Sequence, residues 1–469
     1  MKKQAFNPYL PSWEYTPDCE PYVFDGRVYS YGSHDRFNSL MYCLNEYVCY
    51  SAPVDDLGNW RYEGVIYKAT DDPLNREGKA CLYAPDVTKG PDGRYYLYYC
   101  LDKEQIVSVA VCDTPAGKYE FYGYVHHQDG TRLGERDGDE PQFDPAVLTE
   151  GDKTYLYSGF CCIGDRSRSG SMAVVLDKDM LTIIEEPVLI LESEPYAKEP
   201  EYKAHAFFEA SSIRKVGDTY YFIYSSTVST ELCYATSQYP TKDFVYRGVI
   251  ISNNDIGIDT YKKAETPAYY GGNNHGSIIQ IRDKWYVFYH RHTNGSNFSR
   301  QDCIEEIQIL EDGTIPQVEM TSCGANGGPL IGKGVYPAYI ACNLFCSVEE
   351  ARTGWQWMSD IFPKITQDGR DGDEEPGYIS NMKAGATAGF KYFDFKDTKR
   401  ISLKARGYGD GAFEIMTAMD GKVLATIPVV YTNIWEKYSS EINIPDGIHP
   451  LYIRYTGNGC ISLLSFEIE

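Results

Sequence analysis

Aromatic and polar residues recur in one pattern five times between residues 25 and 291. In each copy a turn with Asp or Gly precedes a short strand rich in Tyr, Phe or Trp, which is a hairpin signal. The copies are DGRVYSYGS from Asp25, DGRYYLYY from Asp92, GDKTYLYSGF around Asp152, GDTYYFIYSS around Asp218 and DKWYVFYHR from Asp283. Their aspartates are 67, 60, 66 and 65 residues apart, which is room for four short strands with loops. The pattern therefore predicts five blades of a β-propeller.

The rest of the chain supports an all-β fold with a second domain. Residues 1–320 show no helical periodicity, and the Gly-rich stretch GANGGPLIGKG, residues 324–334, is typical of a linker. Beyond it the repeat is lost, and turn signals separate short strands at roughly 10–15 residues, as in a β-sandwich. We therefore predict a five-bladed propeller over 1–323, a linker over 324–334 and a jelly-roll-like β-sandwich over 335–469.

Composition and net charge limit the kinds of molecule that this protein is expected to bind. The formal net charge of −23 disfavours nucleic acid and anionic membranes, and the 42 Tyr residues provide faces that stack on flat ligands. The first residues, MKKQAFNPYLPSW, contain no apolar run. Because no such run is present, we interpret the 14 cysteines as reduced thiols. These features predict a cytoplasmic protein that acts on a small neutral molecule, with no nucleic acid or membrane as partner; a homo-oligomer remains compatible with the sequence.

One conspicuous polar residue precedes each repeat. The five are Asp18, Asp86, Asp144, Glu209 and His275, which lie 7, 6, 8, 9 and 8 residues before their turn aspartates. Equivalent offsets predict equivalent places on the innermost strands, so these side chains are expected to ring one end of the central channel. Each taken alone has an ordinary explanation as a turn former, cap or structural hydrogen-bonding group. Together they would repel one another unless a cation, protons or a polar substrate lay among them.

Several carboxylates in one aromatic-lined pocket suit glycoside hydrolysis, which needs a protonated acid and an ionised carboxylate. The motifs around these residues resemble glycoside hydrolase family 43, a five-bladed propeller family of inverting β-xylosidases, α-L-arabinofuranosidases and arabinanases, over most of residues 6–320. The resemblance implies that Asp18, in PDCEPYVF, is the general base. Cys19 replaces the usual Pro there, which leaves Glu20 as a rival. It also implies that Asp144, in FDPAVL, tunes the acid, and that Glu209, in FFEASSI, is the general acid.

The same resemblance implies further roles. His275, in NHGS, corresponds to a histidine that lies beside a channel calcium in many members, so Ca2+ is a candidate cofactor; no organic cofactor is expected. Arg300, in FSRQDC, has the place of an arginine that contacts the sugar. Asp86, in the APD motif, is assigned to substrate binding, with a structural role left open. Phe143 and Phe208 are expected to contact substrate as well. Phe207 and Phe208 would desolvate Glu209, and Asp144 would add a like charge, so both effects would keep Glu209 protonated.

The second domain is similar, less specifically, to a family 6 carbohydrate-binding module. Tyr378 and Trp435 fall where that module has a strand residue and a loop aromatic, and they are expected either to stack on a sugar or to serve as core residues of a domain that buttresses the propeller.

The resulting hypothesis is an inverting, exo-acting glycoside hydrolase that releases xylose and/or arabinose from xylan- or arabinan-derived oligosaccharides. Two alternatives stay open: a glycoside phosphorylase on the same fold, which would need a cluster of cations for phosphate, and a non-catalytic glycan-binding propeller. The sequence does not choose between xyloside and arabinofuranoside.

Overall fold

The computed structural model describes residues 3–258, 267–346 and 362–469. Within them the chain is almost entirely β, with a single α-helix, Pro200–Ala204, and 3₁₀ turns at Ala69–Asp71, Pro73–Asn75, Gly324–Asn326 and Ala338–Ile340. In this described part, no helix has the length and apolar character needed to cross a membrane.

Nineteen strands form five separate antiparallel sheets in chain order, four of them four-stranded and the last three-stranded. The first two sheets consist of β1 Glu20–Phe24, β2 Arg27–Tyr31, β3 Tyr47–Pro53, β4 Arg61–Tyr67 and of β5 Asp86–Lys89, β6 Tyr95–Tyr99, β7 Ser108–Cys112, β8 Glu120–Tyr124. The next two consist of β9 Ala146–Glu150, β10 Lys153–Ser158, β11 Gly170–Leu176, β12 Ile183–Glu192 and of β13 Phe207–Val216, β14 Thr219–Ser226, β15 Glu231–Ser237, β16 Val245–Ser252. The fifth consists of β17 Ser277–Ile281, β18 Lys284–Thr293 and β19 Ser296–Ile307.

The first strands of these sheets meet around a centre: β5 contacts β9, β9 contacts β13, β13 contacts β17, and β17 contacts β1. Each predicted turn joins the first two strands of a sheet. In the first, Asp25 and Gly26 both have positive φ, 48° and 76°, the conformation that two-residue hairpin turns require. The predicted five-bladed propeller is confirmed.

The fifth blade differs from the prediction of four strands, because it has three in the described residues. Its open edge is covered by the N-terminal segment instead: Asn7 accepts from the backbone N–H of Ile304, at 2.8 Å, and donates to the carbonyl of the same residue, at 2.9 Å. The side chain thus replaces a strand's hydrogen bonds and joins the first residues of the propeller to its last blade.

Residues from 330 onward form two six-stranded sheets. Their strands are β20 Leu330–Ile331, β21 Gly334–Pro337, β22 Asn343–Phe345, β23 Lys364–Thr366, β24 Tyr378–Met382, β25 Thr387–Phe395, β26 Arg400–Gly407, β27 Asp410–Met416, β28 Ala425–Val429, β29 Thr432–Glu441, β30 Gly447–Asn458 and β31 Ile461–Ile468. One sheet has the order β20-β25-β30-β27-β28 with β22 beside β25, and the other β23-β24-β31-β26-β29 with β21 beside β31. Leu403 and Ile453, from opposite sheets, belong to one buried core, as a sandwich requires. Since β20 pairs with β25, the sandwich begins inside the segment predicted as a linker.

The two domains share that core. Tyr289 of blade five is part of the same buried cluster as the sandwich residues. The buried Arg291 donates to the carbonyls of Tyr339, at 2.7 Å, and Ala341, at 3.0 Å. The sandwich is therefore fixed against blades four and five.

Candidate active site

A cavity of about 370 Å³ opens at one end of the propeller channel. Its walls are formed by Asp18, Tyr42, Cys43, Tyr83, Ala84, Phe143, Asp144, Phe208, Glu209, Ser229, Gly272, Asn273, His275, Asn297 and Arg300. Seven of the eight predicted site residues line it, and Asp86 does not.

The blade geometry explains the convergence of three of them. Asp18, Asp144 and His275 each lie two residues before the first strand of their blade, where the chain enters the channel. Asp18 and Asp144 have positive φ, 64° and 45°, a conformation that Asp tolerates better than most residues. The side chains of equivalent positions therefore point into the same cavity.

A β-bulge, and not the position before the strand, directs Glu209 into the cavity. The pairing of β13 with β14 is irregular between Glu209 and Ser212, and Ala210 has a φ of 67°. This bulge turns Glu209 toward the cavity. The N–H of Ala210 donates to Asp144 Oδ2 at 3.0 Å, so Asp144 holds the backbone next to Glu209.

Asp86 lies deeper in the channel than predicted. It is the first residue of β5, whereas Asp18, Asp144 and His275 each stand two residues before their strands. The position equivalent to Asp18 is Ala84, which lines the cavity. Asp86 accepts from Tyr22 and from the backbone N–H groups of Val87 and Val147, all at 2.7 Å. Ala84 lies 8 residues before its turn aspartate, the same offset that Asp144 and His275 have from theirs.

Glu20 shares this deeper layer. It is 1% exposed, and its Oε2 accepts from Arg214 Nη2 at 2.6 Å. Arg214 also lies over the ring of Tyr22, 4.4 Å from its centroid. Asp18 lines the cavity, and Glu20 does not.

Arg300 holds Asp18, the candidate general base, by hydrogen bonds. Its Nη1 donates to both oxygens of Asp18, at 2.9 and 3.2 Å, and its Nε and Nη2 donate to the two oxygens of Asp35, both at 2.9 Å. Burial alone would raise the pKa of Asp18, but the charge of Arg300, followed by the contact with His290 at 3.3 Å, holds that pKa well below its usual range. Asp18 is therefore ionised at neutral pH.

Glu209 has the opposite electrostatic environment. Burial raises its pKa to about 8, and the negative charge of Asp18 adds to the shift. The pKa of Asp144 is raised as well, by burial and then by the charges of Glu209 and Asp18. The expected desolvation of Glu209 is present, while the principal like charge on it comes from Asp18 and not from Asp144.

The two predicted phenylalanines next to Glu209 point in different directions. Phe208 lines the cavity and continues a row of rings in which neighbouring centroids are 5.1–5.5 Å apart, formed by Phe208, Phe160, Phe143 and Tyr83. Phe207 packs on Phe222 and Tyr224 in the core between blades three and four. The cavity therefore has one aromatic wall, to which Phe207 does not contribute.

His275 lies between Asp144, which lines the cavity, and the deeper Glu20. Its Nδ1 is 3.7 Å from Asp144 Oδ2, and its Nε2 is 3.9 Å from Glu20 Oε1. Burial lowers the pKa of His275 to about 4, so the imidazole is neutral. Within the described residues, neither His275 Nε2 nor Glu20 Oε1 has a hydrogen-bond partner.

Comparisons with known proteins identify the family of the chain. Residues 15–315 match the sequence profile of glycosyl hydrolases family 43. The chain belongs to glycosyl hydrolase family 43. It is therefore a glycoside hydrolase, and the predicted family, fold class and enzyme type are confirmed.

A xylosidase/arabinosidase of Thermoclostridium stercorarium is 68% identical to this chain over 470 residues, covering 100% of this chain and 99% of the relative. A xylosidase/arabinosidase of Bacteroides ovatus is 30% identical over 347 residues, 66% of this chain and 97% of its own.

Solved structures extend the comparison. A family 43 β-xylosidase/α-arabinofuranosidase from a compost microbial metagenome, in complex with xylotriose and calcium-free, is 27% identical with a TM-score of 0.53, over 68% of this chain and 98% of its own. An arabinoxylan arabinofuranohydrolase from Bacillus subtilis, 20% identical with a TM-score of 0.52, covers 98% of this chain and 97% of its own, so the fold similarity includes the sandwich.

Sequence reasoning missed several residues of this family 43 site. Asp35, which binds Arg300, and Tyr42 and Cys43 lie in the connection between β2 and β3, outside the repeated segments. Asn273 precedes β17, and Asn297 lies at the start of β19; both line the cavity from blade five. The only available signal was the short GSHD stretch that places Asp35 directly after the first repeat.

The predicted sugar-stacking residues of the sandwich contact each other instead. Tyr378 and Trp435 have ring centroids 5.2 Å apart. Arg406 lies over both rings, 4.2 Å from that of Trp435, and is paired with Asp368 at 2.8 Å. Neither Tyr378 nor Trp435 is fully buried, so sugar stacking and the buttressing role both stay predictions.

Proposed function

We propose that this chain is an inverting, exo-acting glycoside hydrolase that releases xylose and/or arabinose from xylan- or arabinan-derived oligosaccharides. The observation that carries the proposal is the opposite protonation of two carboxyls in one cavity: Asp18 is held ionised by Arg300, and the pKa of Glu209 is raised to about 8 by burial and by Asp18. An ionised base and a protonated acid are what single-displacement glycoside hydrolysis needs.

In this mechanism Glu209 donates its proton to the glycosidic oxygen as the leaving group departs. Asp18 accepts a proton from a water molecule that attacks the anomeric carbon from the opposite face. Asp144 acts by positioning Glu209, because it accepts from the backbone N–H of Ala210, the next residue. Three rings of the aromatic row, those of Tyr83, Phe143 and Phe208, line the cavity and offer apolar surface to the sugar ring.

The relatives support the substrate class, since those from Thermoclostridium stercorarium and Bacteroides ovatus are both named xylosidase/arabinosidase. A cavity of about 370 Å³ suits a terminal pentose better than a long chain, in line with exo action.

Phosphorolysis is disfavoured by the charge of the cavity. Among its described wall residues Arg300 is the only permanent cation, and all three of its guanidinium nitrogens already donate to Asp18 or Asp35. Little positive charge is left for a phosphate.

A calcium ion would be held here by His275 and Glu20. Their atoms without hydrogen-bond partners, Nε2 and Oε1, lie 3.9 Å apart, and burial raises the pKa of Glu20 to about 8, so the channel favours added positive charge. Calcium prefers oxygen ligands, so water would complete its coordination. When bound, the ion would supply positive charge that keeps Glu20 ionised.

The test of the proposal is the initial rate on aryl β-xyloside against aryl α-L-arabinofuranoside, with the anomer of the released sugar followed by NMR. We expect turnover of at least one substrate, with inversion at the anomeric carbon. Retention would overturn the inverting assignment, and binding without turnover of either substrate would favour a non-catalytic propeller.

A further inference from the structure

The connection between β2 and β3, residues 32–46, forms one wall of the cavity through Tyr42 and Cys43. The Tyr42 ring lies 4.7 Å from the guanidinium of Arg300 and 4.6 Å from the Phe298 ring. No hydrogen bond to the Tyr42 hydroxyl is found among the described residues. A phenol in a cavity wall is suited to bind a sugar hydroxyl.

This wall is anchored from two sides. On the propeller side, Asp35 accepts from the N–H of Cys43 at 3.0 Å while both of its oxygens bind Arg300. On the other side the anchor is Asp371, which belongs to the sandwich loop between β23 and β24.

Asp371 bridges the two flanks of the wall. Its Oδ1 accepts from the backbone N–H of Phe37 at 2.6 Å, and its Oδ2 accepts from Asn45 Nδ2 at 3.0 Å. Phe37 and Asn45 flank, along the chain, the short segment that carries Tyr42. One carboxylate from a position 334 residues away from Phe37 therefore closes the base of this segment.

Neighbouring contacts reinforce the same junction. Phe37 stacks on Tyr15, with ring centroids 5.4 Å apart, and Tyr15 donates to Gln367 Oε1 of the sandwich loop at 2.7 Å. Phe37 and Gln367 are both buried. The contact is thus a built junction between the domains.

We propose that Tyr42 binds the substrate and that Asp371 is a positioning residue that holds Tyr42 in place, so that the sandwich sets the affinity of the propeller's active site. Asp371 does not line the cavity and acts only through residues 37–45. This inference rests on the proposed function for its substrate class. It gives the second domain a part in catalysis that does not require it to bind sugar.

The first test is kinetic. Asp371→Ala is expected to raise KM for the aryl pentoside about tenfold, the size of losing one charged hydrogen bond, and to change kcat less than about threefold. The matched control is Asp373→Ala, in the same loop, because Asp373 accepts from the N–H of Arg370, at 2.7 Å, and not from the propeller. It is expected to leave both constants unchanged.

A double-mutant cycle asks whether Asp371 acts through Tyr42. In a Tyr42→Ala background the added effect of Asp371→Ala on KM should fall below about twofold, because coupled residues are not additive. Full additivity, or a loss confined to kcat, would overturn the positioning role.

Hydrogen exchange tests the junction without any substrate. Peptides covering residues 36–46 should exchange several-fold faster in Asp371→Ala and at the wild-type rate in Asp373→Ala. Unchanged exchange in Asp371→Ala would overturn the inference. If the wild-type enzyme turned over neither pentoside, the proposed function would fail, while this exchange result would still decide whether Asp371 holds the wall.

Discussion

Arg300 Nη1 donates to both carboxylate oxygens of Asp18, at 2.9 and 3.2 Å, while the rest of the same guanidinium is engaged by Asp35. The planar group spans two carboxylates, which a lysine ammonium cannot do with the same geometry. Arg300 therefore fixes both the position and the charge of the proposed base. Its contact with sugar, expected from the sequence, stays a prediction.

Replacing Arg300 with Lys should weaken the hold on Asp18. Because Arg300 lowers the pKa of Asp18, its loss should let that pKa rise, and activity should then disappear at a higher pH on acidification. We expect the acid limb of the kcat/KM profile to move upward, together with a lower plateau. An acid limb that stays in place would contradict the role of Arg300 in keeping Asp18 ionised.

Glu209→Gln should reduce turnover of a substrate with a poor leaving group by roughly 10²–10⁴-fold, the usual contribution of a general acid, and should spare an activated aryl glycoside in comparison. Equal losses on both substrates would count against Glu209 as the acid.

The wild-type pH profile gives an independent check on Glu209. Since the acid must be protonated, and its pKa is raised to about 8, kcat/KM should fall as the pH rises through that value. The fall should be absent from residual turnover by Glu209→Gln of the activated glycoside. If it persists there, another group causes it.

Asp18→Asn and Glu20→Gln separate the two candidates for the base. We expect Asp18→Asn to lose about 10²–10⁴-fold on good and poor leaving groups alike, because the water must be deprotonated in both cases. Glu20→Gln should retain most turnover, because Glu20 is bound to Arg214 and lies outside the cavity wall. The reverse ranking would transfer the role to Glu20.

Calcium should stabilise the protein if His275 and Glu20 hold it. Scanning calorimetry is expected to show a higher Tm with Ca2+ than with a chelator, because a ligand that binds the native state stabilises it. Glu20→Gln should abolish the difference. If Ca2+ does not change the Tm of the wild type, His275 and Glu20 do not hold calcium.

Local patterns predicted much of this architecture. The turn-plus-aromatic strand repeats because each blade has the same hairpin, and strand alternation and turn chemistry are properties of neighbouring residues. Asp18, Asp144 and His275 could be found in this way, since each stands two residues before an inner strand. Asp86, six residues before its turn aspartate, does not line the cavity. Ala84 takes that place: it lies eight residues before the same aspartate, as Asp144 and His275 do before theirs, but an alanine gives no polar signal in the sequence.

By itself, then, the sequence determined the all-β class, the five blades and the three carboxylates of the cavity, because these depend on periodicity and on motifs a few residues long. Only the tertiary structure decided that Arg300 binds Asp18 and Asp35 together, that Phe207 turns away from the cavity, and that Asp371 of the sandwich anchors the segment carrying Tyr42. Those contacts join residues tens to hundreds of positions apart, and they form only when blades and sandwich pack into one body. No local pattern encodes that packing.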